Sequence, residues 1–319
     1  WPVLADPLSG ARQGPNAIST YDALLRSPGP ARSLRPDVAL RLGAPLTGRV
    51  GSGWLDASVR QVLVDPDGAW LDPNRSSAER MVADPTALLD TVSERGPARS
   101  QSFWLSSWLS AEKAARRDLD ALLDSWPEPF EGRVARDLVV GLPDGATLVV
   151  GSSMPVRDVE SFAPARRGLR FLSNRGVNGI DGFVSTVLGA AVAGGPVVAL
   201  CGDLTFLHDA GGLLRAGARG LDATFVVLDN DGGGIFNFLP QAGGSHFETL
   251  FGTPHGIDLA ALAAVHGIAA ERVTKADDVL PAVERATGAG GVRVVIVPTD
   301  RADNVERHRQ AWAAVSVPG

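Results

Sequence analysis

The chain has 319 residues, a mass of 33.2 kDa and a formal net charge of −6, with 45% hydrophobic and 21% charged residues. This length predicts about two domains of roughly 150 residues each, and the composition is typical of globular rather than disordered or fibrous proteins. The acidic net charge argues against a nucleic-acid binder that relies on phosphate neutralisation. Cys201 is the only cysteine, which excludes a disulfide framework and a cysteine-rich zinc site.

The first residues and the longest apolar stretch bear on cellular location. The N-terminal residues lack the basic and apolar regions of a signal peptide. Residues 182–202 carry no charge, but Gly194, Gly195 and Pro196 interrupt them, which favours a buried helix and strand over a membrane span. We therefore expect a soluble, cytoplasmic protein. Because the chain begins at Trp1 rather than at a methionine, we also expect a fragment or a removed N-terminal segment.

Short apolar runs and helical patterns alternate in the first 95 residues. Strands are predicted at 38–42, 59–64 and 80–83, and helices at 21–26 and 85–94. Such alternation favours βαβ units and a parallel sheet. The polar segment 95–102 predicts a linker, and the leucine and tryptophan spacing in 103–125 predicts a long helix with one packing face.

The second half of the chain is richer in strands. Nearly continuous apolar runs predict strands at 147–151, 169–173, 197–201, 224–228 and 292–297. Helical patterns separate them at 132–140, 155–162, 180–193, 205–218, 258–266, 276–287 and 303–314. Strands of this kind are typically buried on both faces by helices. We therefore predict an α/β protein with two doubly wound parallel-sheet domains, residues 1–95 and 96–319.

Ligands of open parallel sheets bind beyond the carboxyl ends of the strands, where the strand order reverses. Four loops that follow predicted strands carry unusual sequences: GSSMPVR at 151–157, SNRGVNGIDG at 173–182, CGDLTFLHD at 201–209 and LDNDGGGIFNFLP at 228–240. The candidate functional residues therefore lie in these loops.

Asp203 and Asn230 each end a predicted strand. A hard cation such as Mg²⁺ takes oxygen ligands, and a carboxylate, an amide oxygen and the carbonyl of Gly232 would form half of its shell. Thr205 stands where a helix is predicted to begin, so its hydroxyl and the nearby amides would suit a phosphate. Taken singly, a helix N-cap at Asp203 and an ordinary turn at 230–234 are simpler explanations.

The interval between Asp203 and Asn230 is 230 − 203 = 27 residues, with a helix and a strand between them. This spacing resembles the motif by which thiamine-diphosphate enzymes hold Mg²⁺ and the cofactor's diphosphate. The chain departs from that motif at Leu204, where glycine is commoner, and in the pair Asp229–Asn230. Together, SSMPVR, SNRGVNGIDG, GDLTFLHD and GGIFNFLP are similar to the MenD family, the menaquinone-pathway branch of these enzymes. The similarity covers about 150–240, and GAPLTGR at 43–49 extends it more weakly.

The resemblance implies three similar domains per subunit, with thiamine diphosphate bound between the pyrimidine domain of one subunit and the diphosphate domain of its partner. On this basis residues 1–95 resemble most of the central domain and residues 96–319 the diphosphate domain. The pyrimidine domain, whose glutamate activates the cofactor, has no recognisable counterpart in this sequence. The resemblance therefore implies a homodimer or homotetramer and predicts that this chain alone is inactive.

For the intact protein, the resemblance implies a transferase that requires thiamine diphosphate and Mg²⁺ or Mn²⁺. It would decarboxylate 2-oxoglutarate and add the resulting carbanion to isochorismate, giving 2-succinyl-5-enolpyruvyl-6-hydroxy-3-cyclohexene-1-carboxylate and CO₂. Neither a nucleic acid nor a membrane is expected as a partner. Two alternatives stay open: a related carboligase or decarboxylase for another 2-oxo acid, and a non-catalytic fragment that binds Mg-diphosphate or an acidic effector.

Within the matching loops, the resemblance implies that Arg157 and Arg175 hold substrate carboxylates, which a guanidinium binds in bidentate fashion. Ser153 lies four residues before Arg157 and would face the same cleft. Arg49, in the weaker match, would add another cation. Only Lys113 and Lys275 among the 30 basic residues are lysine, so a surface arginine without a role is the alternative for each arginine.

The resemblance also implies apolar groups around the cofactor. Ile180 resembles the aliphatic residue that supports its bent conformation, and the carbonyl of Asn178 would meet its aminopyrimidine. Ile235, Phe236 and Leu239 would form an apolar wall beside the reacting carbon, with helix-face packing as the alternative. The predicted cofactor-binding set is Ser153, Gly176, Asn178, Ile180, Gly202, Asp203, Leu204, Thr205, Asn230, Ile235 and Phe236, with Asp203, Asn230 and Gly232 as metal ligands. The five histidines lack ligand spacing, so solvent or packing roles are expected for them.

Overall fold

The computed structural model describes residues 1–56, 58–96, 102–177 and 179–315. They contain two sheets in which all strand pairs are parallel. The three-stranded sheet has the order β1-β2-β3, and the six-stranded sheet has the order β5-β4-β6-β7-β9-β8. The strands are β1 (Val38–Leu42), β2 (Arg60–Val64), β3 (Glu79–Met81), β4 (Thr147–Val150), β5 (Arg170–Leu172), β6 (Val197–Gly202), β7 (Ala223–Asp229), β8 (Ala269–Arg272) and β9 (Val292–Pro298).

Helices connect the strands of both sheets. The α-helices are α1 (Tyr21–Arg26), α2 (Pro28–Ser33), α3 (Arg49–Trp54), α4 (Pro85–Arg95), α5 (Phe103–Asp124), α6 (Glu131–Gly141), α7 (Met154–Phe162), α8 (Phe183–Val192), α9 (Asp203–His208), α10 (Leu259–Val265), α11 (Ala276–Ala289) and α12 (Arg301–Ala314). Shorter 3-10 turns lie at Pro7–Ser9, Ala210–Leu213, Ala216–Arg219, Gly234–Phe238 and Pro240–Gly243, and a π-helical turn at Glu248–Gly252.

The six-stranded sheet is buried on both faces, as its apolar runs predict. Leu148 and Val150 of β4 join one core with apolar residues of α6, α7 and α11. Val149, which points the other way, joins a second core with α8, α9 and α10. Alternate residues of a strand point to opposite faces, so a strand covered on both sides must be apolar throughout. The expected α/β class with parallel sheets is confirmed.

A third core joins the N-terminal segment to the helices of the second half. Tyr21 and Leu24 of α1 pack with Trp108 and Leu119 of α5, and α12 contributes Ala311. The predicted packing face of the long helix is thus confirmed. Because α1 packs on helices from the second half of the chain, the domain boundary at residue 96 stays a prediction.

The structure differs from the predicted elements in the bounds of two helices and in three further elements that were not predicted. The helix predicted at 205–218 ends at His208 and gives way to 3-10 turns, because Gly211, Gly212 and Gly217 are poor helix formers. The helix predicted from 180 begins at Phe183, since Gly182 takes a left-handed conformation (φ 64°). The edge strand β8 and the short helices α2 and α3 lacked a clear signal in the sequence. Most of the predicted linker lies outside the described residues.

Among the described residues, no helix combines the length and the apolar character that crossing a bilayer requires.

Candidate cofactor site

The candidate site lies where the strand order of the larger sheet reverses. The chain passes from β4 outward to β5 and then returns to β6 on the other side of β4. The loops after β4 and β6 therefore diverge and leave a crevice at the carboxyl edge, where open parallel sheets bind ligands. The bases of the two loops are close together, as the space around Gly151 shows. A Cβ placed on Gly151 would lie 3.3 Å from the Cβ of Cys201.

Asp203 is the first residue of α9, and it is buried with 1% of its surface exposed. Its Oδ1 accepts a hydrogen bond from the amide of Leu204 at 2.6 Å. Its Oδ2 accepts from the amides of Asn230 at 3.1 Å and Gly232 at 2.9 Å. The carboxylate therefore holds the loop after β7 against the start of α9. As a result, the predicted metal ligands Asn230 and Gly232 lie next to the third, Asp203.

Asn230 brings an unpartnered oxygen to this position. Its Nδ2 donates to Glu131 Oε1 at 2.8 Å, whereas its Oδ1 is buried and has no hydrogen-bond partner among the described residues. A buried carbonyl oxygen without a partner is costly unless a ligand satisfies it. Gly232, with φ 138°, packs so closely that a Cβ would overlap the carbonyl oxygen of Gly252. The carbonyl of Gly232 accepts only from Gly234 (3.0 Å) among the described residues, which leaves one lone pair.

Acidic groups are concentrated around this position. Burial, followed by the nearby charge of Asp203, raises the pKa of Asp229. Burial also raises the pKa of Glu131 to about 7, with Asp158 adding to the effect. The carboxylate of Asp203, the amide oxygen of Asn230 and the carbonyl of Gly232 are the oxygen donors that Mg²⁺ and Mn²⁺ prefer. The donor set and the unpartnered Oδ1 fit a divalent cation at this site.

His255 is a neighbour of the site that the sequence analysis missed. Its Nε2 lies 3.3 Å from Asp203 Oδ2, and its ligating atoms and those of Asp203 and Asp229 lie within 4.8 Å of one another. The Nδ1 accepts from the amide of Ile257 at 3.0 Å. The Nε2 makes no hydrogen bond within the described part of the chain, so it lies beside the Asp203 carboxylate without donating to it. No spacing in the sequence connects His255 to Asp203.

Three arginines predicted for the substrate side lie together. Burial lowers the pKa of the Arg157 guanidinium, and the charges of Arg175 and Arg49 lower it further. In the described part of the chain, the hydrogen bonds of Arg157 and Arg175 run to neutral oxygens. Arg157 donates to the carbonyl of Ser153 at 2.5 Å, and Arg175 contacts Ser152 Oγ and Thr47 Oγ1 at 3.5 and 3.4 Å. A cluster of cations with such partners is suited to an anion.

Ser153, which precedes α7, has a backbone conformation that non-glycine residues rarely adopt (φ 76°, ψ −134°). Such conformations cost about 1–3 kcal/mol and persist only where the surroundings hold them. The neighbouring Ser152 donates from its Oγ to the carbonyl of Asn174 at 3.1 Å, which ties this loop to the one after β5. The strained turn also supplies the carbonyl of Ser153 that accepts from Arg157.

The other predicted residues lie on the same loops. Gly202 ends β6, Leu204 and Thr205 belong to α9, and Thr205 is buried. Gly176 and Ile180 lie between β5 and α8, while Asn178 falls outside the described residues. Ile235, Phe236 and Leu239 are half-buried on and after the turn Gly234–Phe238, where Phe236 packs against Phe251 at 5.5 Å between ring centroids. The structure thus groups these loops, while the role of each residue stays a prediction.

Comparison with known proteins identifies a matching domain. Residues 153–297, which include the crevice loops after β4, β5, β6 and β7, match the family described as thiamine pyrophosphate enzyme, C-terminal TPP binding domain. This part of the chain therefore matches a thiamine pyrophosphate binding domain. The resemblance inferred from the loop motifs is confirmed.

Curated relatives extend this similarity to 99% of the chain. It is 42% identical to the 2-succinyl-5-enolpyruvyl-6-hydroxy-3-cyclohexene-1-carboxylate synthase of Geobacillus thermodenitrificans, over 327 residues. It is 42% identical to the synthase of the same name from Myxococcus xanthus and 37% identical to that of Listeria monocytogenes, each over 325 residues. The chain covers 55%, 55% and 56% of these proteins, so it spans about half the length of the curated relatives it matches.

Proposed function

We propose that the intact protein containing this chain is a 2-succinyl-5-enolpyruvyl-6-hydroxy-3-cyclohexene-1-carboxylate synthase of menaquinone biosynthesis. Its substrates would be 2-oxoglutarate and isochorismate, and its cofactors thiamine diphosphate and Mg²⁺ or Mn²⁺. The names of the relatives support this reaction. The observation that carries the cofactor assignment is the buried, unpartnered Oδ1 of Asn230 beside the Asp203 carboxylate.

Asp203, Asn230 and the carbonyl of Gly232 would hold the cation, and the cation would neutralise charge on the diphosphate. Thr205 and the amides at the start of α9 would donate to the diphosphate oxygens. When bound, the thiazolium supplies the electron sink that lets a 2-oxo acid lose CO₂ and become a carbon nucleophile. The residues of this chain would bind and orient the cofactor and the substrates, and they would exclude water from the crevice.

Arg157, Arg175 and Arg49 would hold the substrate carboxylates on the other side of the crevice. Both proposed substrates are multiply anionic, and the nearness of these three cations supports the assignment. Ser153 would lie in the same cleft. Ile180, Ile235, Phe236 and Leu239 would surround the reacting carbon with apolar groups, which strengthens the electrostatic interactions by excluding water.

The family resemblance further suggests that the cofactor site is shared between subunits of a homodimer or homotetramer. The glutamate that activates the cofactor in this family lies in a pyrimidine domain for which this chain has no matching motif. We therefore expect the 319-residue chain to show no turnover when purified alone, even with thiamine diphosphate and Mg²⁺ in excess. Measurable turnover by that chain would contradict this part of the proposal.

The test is the consumption of isochorismate by the intact protein in the presence of 2-oxoglutarate, thiamine diphosphate and Mg²⁺. We expect turnover that Asp203→Ala abolishes, together with a loss of Mg²⁺-dependent cofactor binding in calorimetry. Activity with pyruvate but not with 2-oxoglutarate would favour a related carboligase instead. Unchanged cofactor affinity in the Asp203→Ala variant would contradict the cation site.

A further inference from the structure

Glu131 makes a buried contact with Asn230 that no predicted motif includes. It is the first residue of α6, 99 positions from Asn230 in sequence, and 1% of its surface is exposed. Its Oε1 accepts from Asn230 Nδ2 at 2.8 Å and from Thr299 Oγ1 at 2.9 Å. The amide of Thr299 donates in turn to the carbonyl of Asp229 at 3.0 Å, so the acceptor is held against the end of β7.

This contact distinguishes the two ends of the Asn230 amide. An amide side chain has a donor end and an acceptor end of nearly equal size, and the Glu131 oxygen that faces it also accepts from Thr299 Oγ1, so this oxygen presents an acceptor to Asn230. With Nδ2 on Glu131, Oδ1 occupies the opposite end, where it is buried and without a partner among the described residues. A flipped amide would bring its oxygen against the Glu131 carboxylate and present an NH₂ group, which cannot ligate a cation, to the cation site.

We propose that Glu131 is a positioning residue that fixes the Asn230 amide so that Oδ1 serves as a cation ligand. This inference rests on the proposed cation site, and it adds to that site a residue from α6. Groups that orient a metal ligand typically affect metal affinity by about 10–100-fold when they are removed. Glu131 would therefore contribute to cofactor affinity without contacting cofactor, cation or substrate.

The first measurement is the binding of Mn²⁺ to the intact protein in the presence of thiamine diphosphate. Electron paramagnetic resonance and calorimetry both monitor this binding. We expect Glu131→Ala to weaken Mn²⁺ binding by at least about tenfold. Glu160→Gln is a matched control, because Glu160 is also a buried glutamate but accepts a hydrogen bond from Tyr21 rather than from Asn230. It should leave Mn²⁺ affinity within about twofold of the wild type.

Exchanging the carboxylate and the amide between positions 131 and 230 distinguishes a positioning role of Glu131 from a general loss of structure. Asn230→Asp places a second carboxylate against Glu131 and should weaken Mn²⁺ binding strongly. In the double variant Glu131→Gln/Asn230→Asp, the new amide can donate to one oxygen of the new carboxylate and leave the other to the cation. We expect the double variant to bind Mn²⁺ more tightly than Asn230→Asp alone. If the two substitutions instead caused independent structural defects, their losses of Mn²⁺ affinity would add.

The outcomes separate the two proposals. If the wild-type protein binds Mn²⁺ and thiamine diphosphate but Glu131→Ala binds them equally well, the positioning role is wrong and the cation site stands. Additive losses in the double variant would also overturn the positioning role. If the wild-type protein does not bind Mn²⁺ at all, both proposals fail.

Discussion

His255 directs its Nε2 to the carboxylate of Asp203 at a distance of 3.3 Å, while its Nδ1 accepts the amide hydrogen of Ile257. The loop that carries His255 is also held by Asp231, whose Oδ1 accepts from the amides of His255 at 2.9 Å and Gly256 at 2.8 Å. These contacts lower the pKa of the Asp231 carboxyl, with the Gly256 amide as the largest cause. The imidazole is thus held beside the proposed cation site, with an Nε2 that makes no hydrogen bond among the described residues.

Replacing His255 by phenylalanine should weaken binding of thiamine diphosphate with Mg²⁺ by about three- to tenfold, because an apolar ring replaces the polar nitrogen 3.3 Å from Asp203 Oδ2. His255→Gln keeps an N–H near the position of Nε2 and should retain most of the affinity. Calorimetry of both variants of the intact protein checks this expectation. Wild-type affinity in His255→Phe would contradict any contribution of this side chain to the site.

Arg175 offers a test in which function and stability should change differently. It lies near the like charge of Arg157 and makes only long contacts with Ser152 Oγ and Thr47 Oγ1 among the described residues. Arg175→Gln should raise the KM for 2-oxoglutarate or isochorismate by about 10–100-fold, the effect of losing a charge-assisted hydrogen bond. The free energy of unfolding should stay equal or rise slightly, because repulsion is relieved.

The control for this variant is Arg309→Gln, since Arg309 is exposed and pairs only distantly with Glu306 at 3.9 Å among the described residues. It should change neither KM nor stability by a measurable amount. A stability loss without any KM change in Arg175→Gln would assign that arginine a structural role.

Much of the framework around these residues was predictable from sequence. Strands such as β6 and β7 are apolar throughout because helices cover both faces, and the loops after them carry Asp203 and Asn230. The 27-residue spacing therefore located the two candidate ligands. Loop motifs of this kind are local in sequence, so a single chain is enough to recognise them.

Glu131 and His255 were not predictable in the same way. Glu131 reaches Asn230 from the start of α6, and His255 reaches Asp203 from a loop after a π-helical turn. Both contacts depend on how elements distant in sequence pack, and neither residue has a distinctive neighbour pattern. The prediction of a single helix over 205–218 was wrong for another reason. Its apolar periodicity extends over glycines, and these stop the helix at His208.

Glu160 predicts a pH dependence of stability. Burial raises its pKa to about 7, with Asp22 and Asp6 adding to the shift, although Tyr21 donates a hydrogen bond to it at 2.5 Å. An unfolded glutamate titrates at about 4.3, so between about pH 4.5 and 7 the folded state binds more protons than the unfolded state. The contribution of Glu160 to stability is therefore present at low pH and is lost as the pH rises through about 7.

Glu160→Gln mimics the protonated side chain and should remove this loss. Its free energy of unfolding should be close to that of the wild type at low pH and higher at pH 8, by on the order of 3–4 kcal/mol. Urea unfolding of the intact protein at the two pH values measures the difference. Equal pH dependence in the two proteins would contradict a raised pKa at this residue.

The loop after β7, which carries the proposed cation ligands Asn230 and Gly232, has no room for a side chain at position 232. The φ of 138° at Gly232 and the nearby carbonyl of Gly252 leave no space for a Cβ, and the amide of Gly232 donates to Asp203 Oδ2 at 2.9 Å. Gly232→Ala should therefore shift the loop, weaken cofactor binding by about tenfold or more, and destabilise the fold by about 1–3 kcal/mol. Gly189→Ala is the matched control, because a Cβ there meets nothing within 4 Å and alanine favours the helix α8. Calorimetry and urea unfolding of both variants should separate them, and a Gly232→Ala protein that binds thiamine diphosphate and Mg²⁺ normally would show that this loop does not form the cation site.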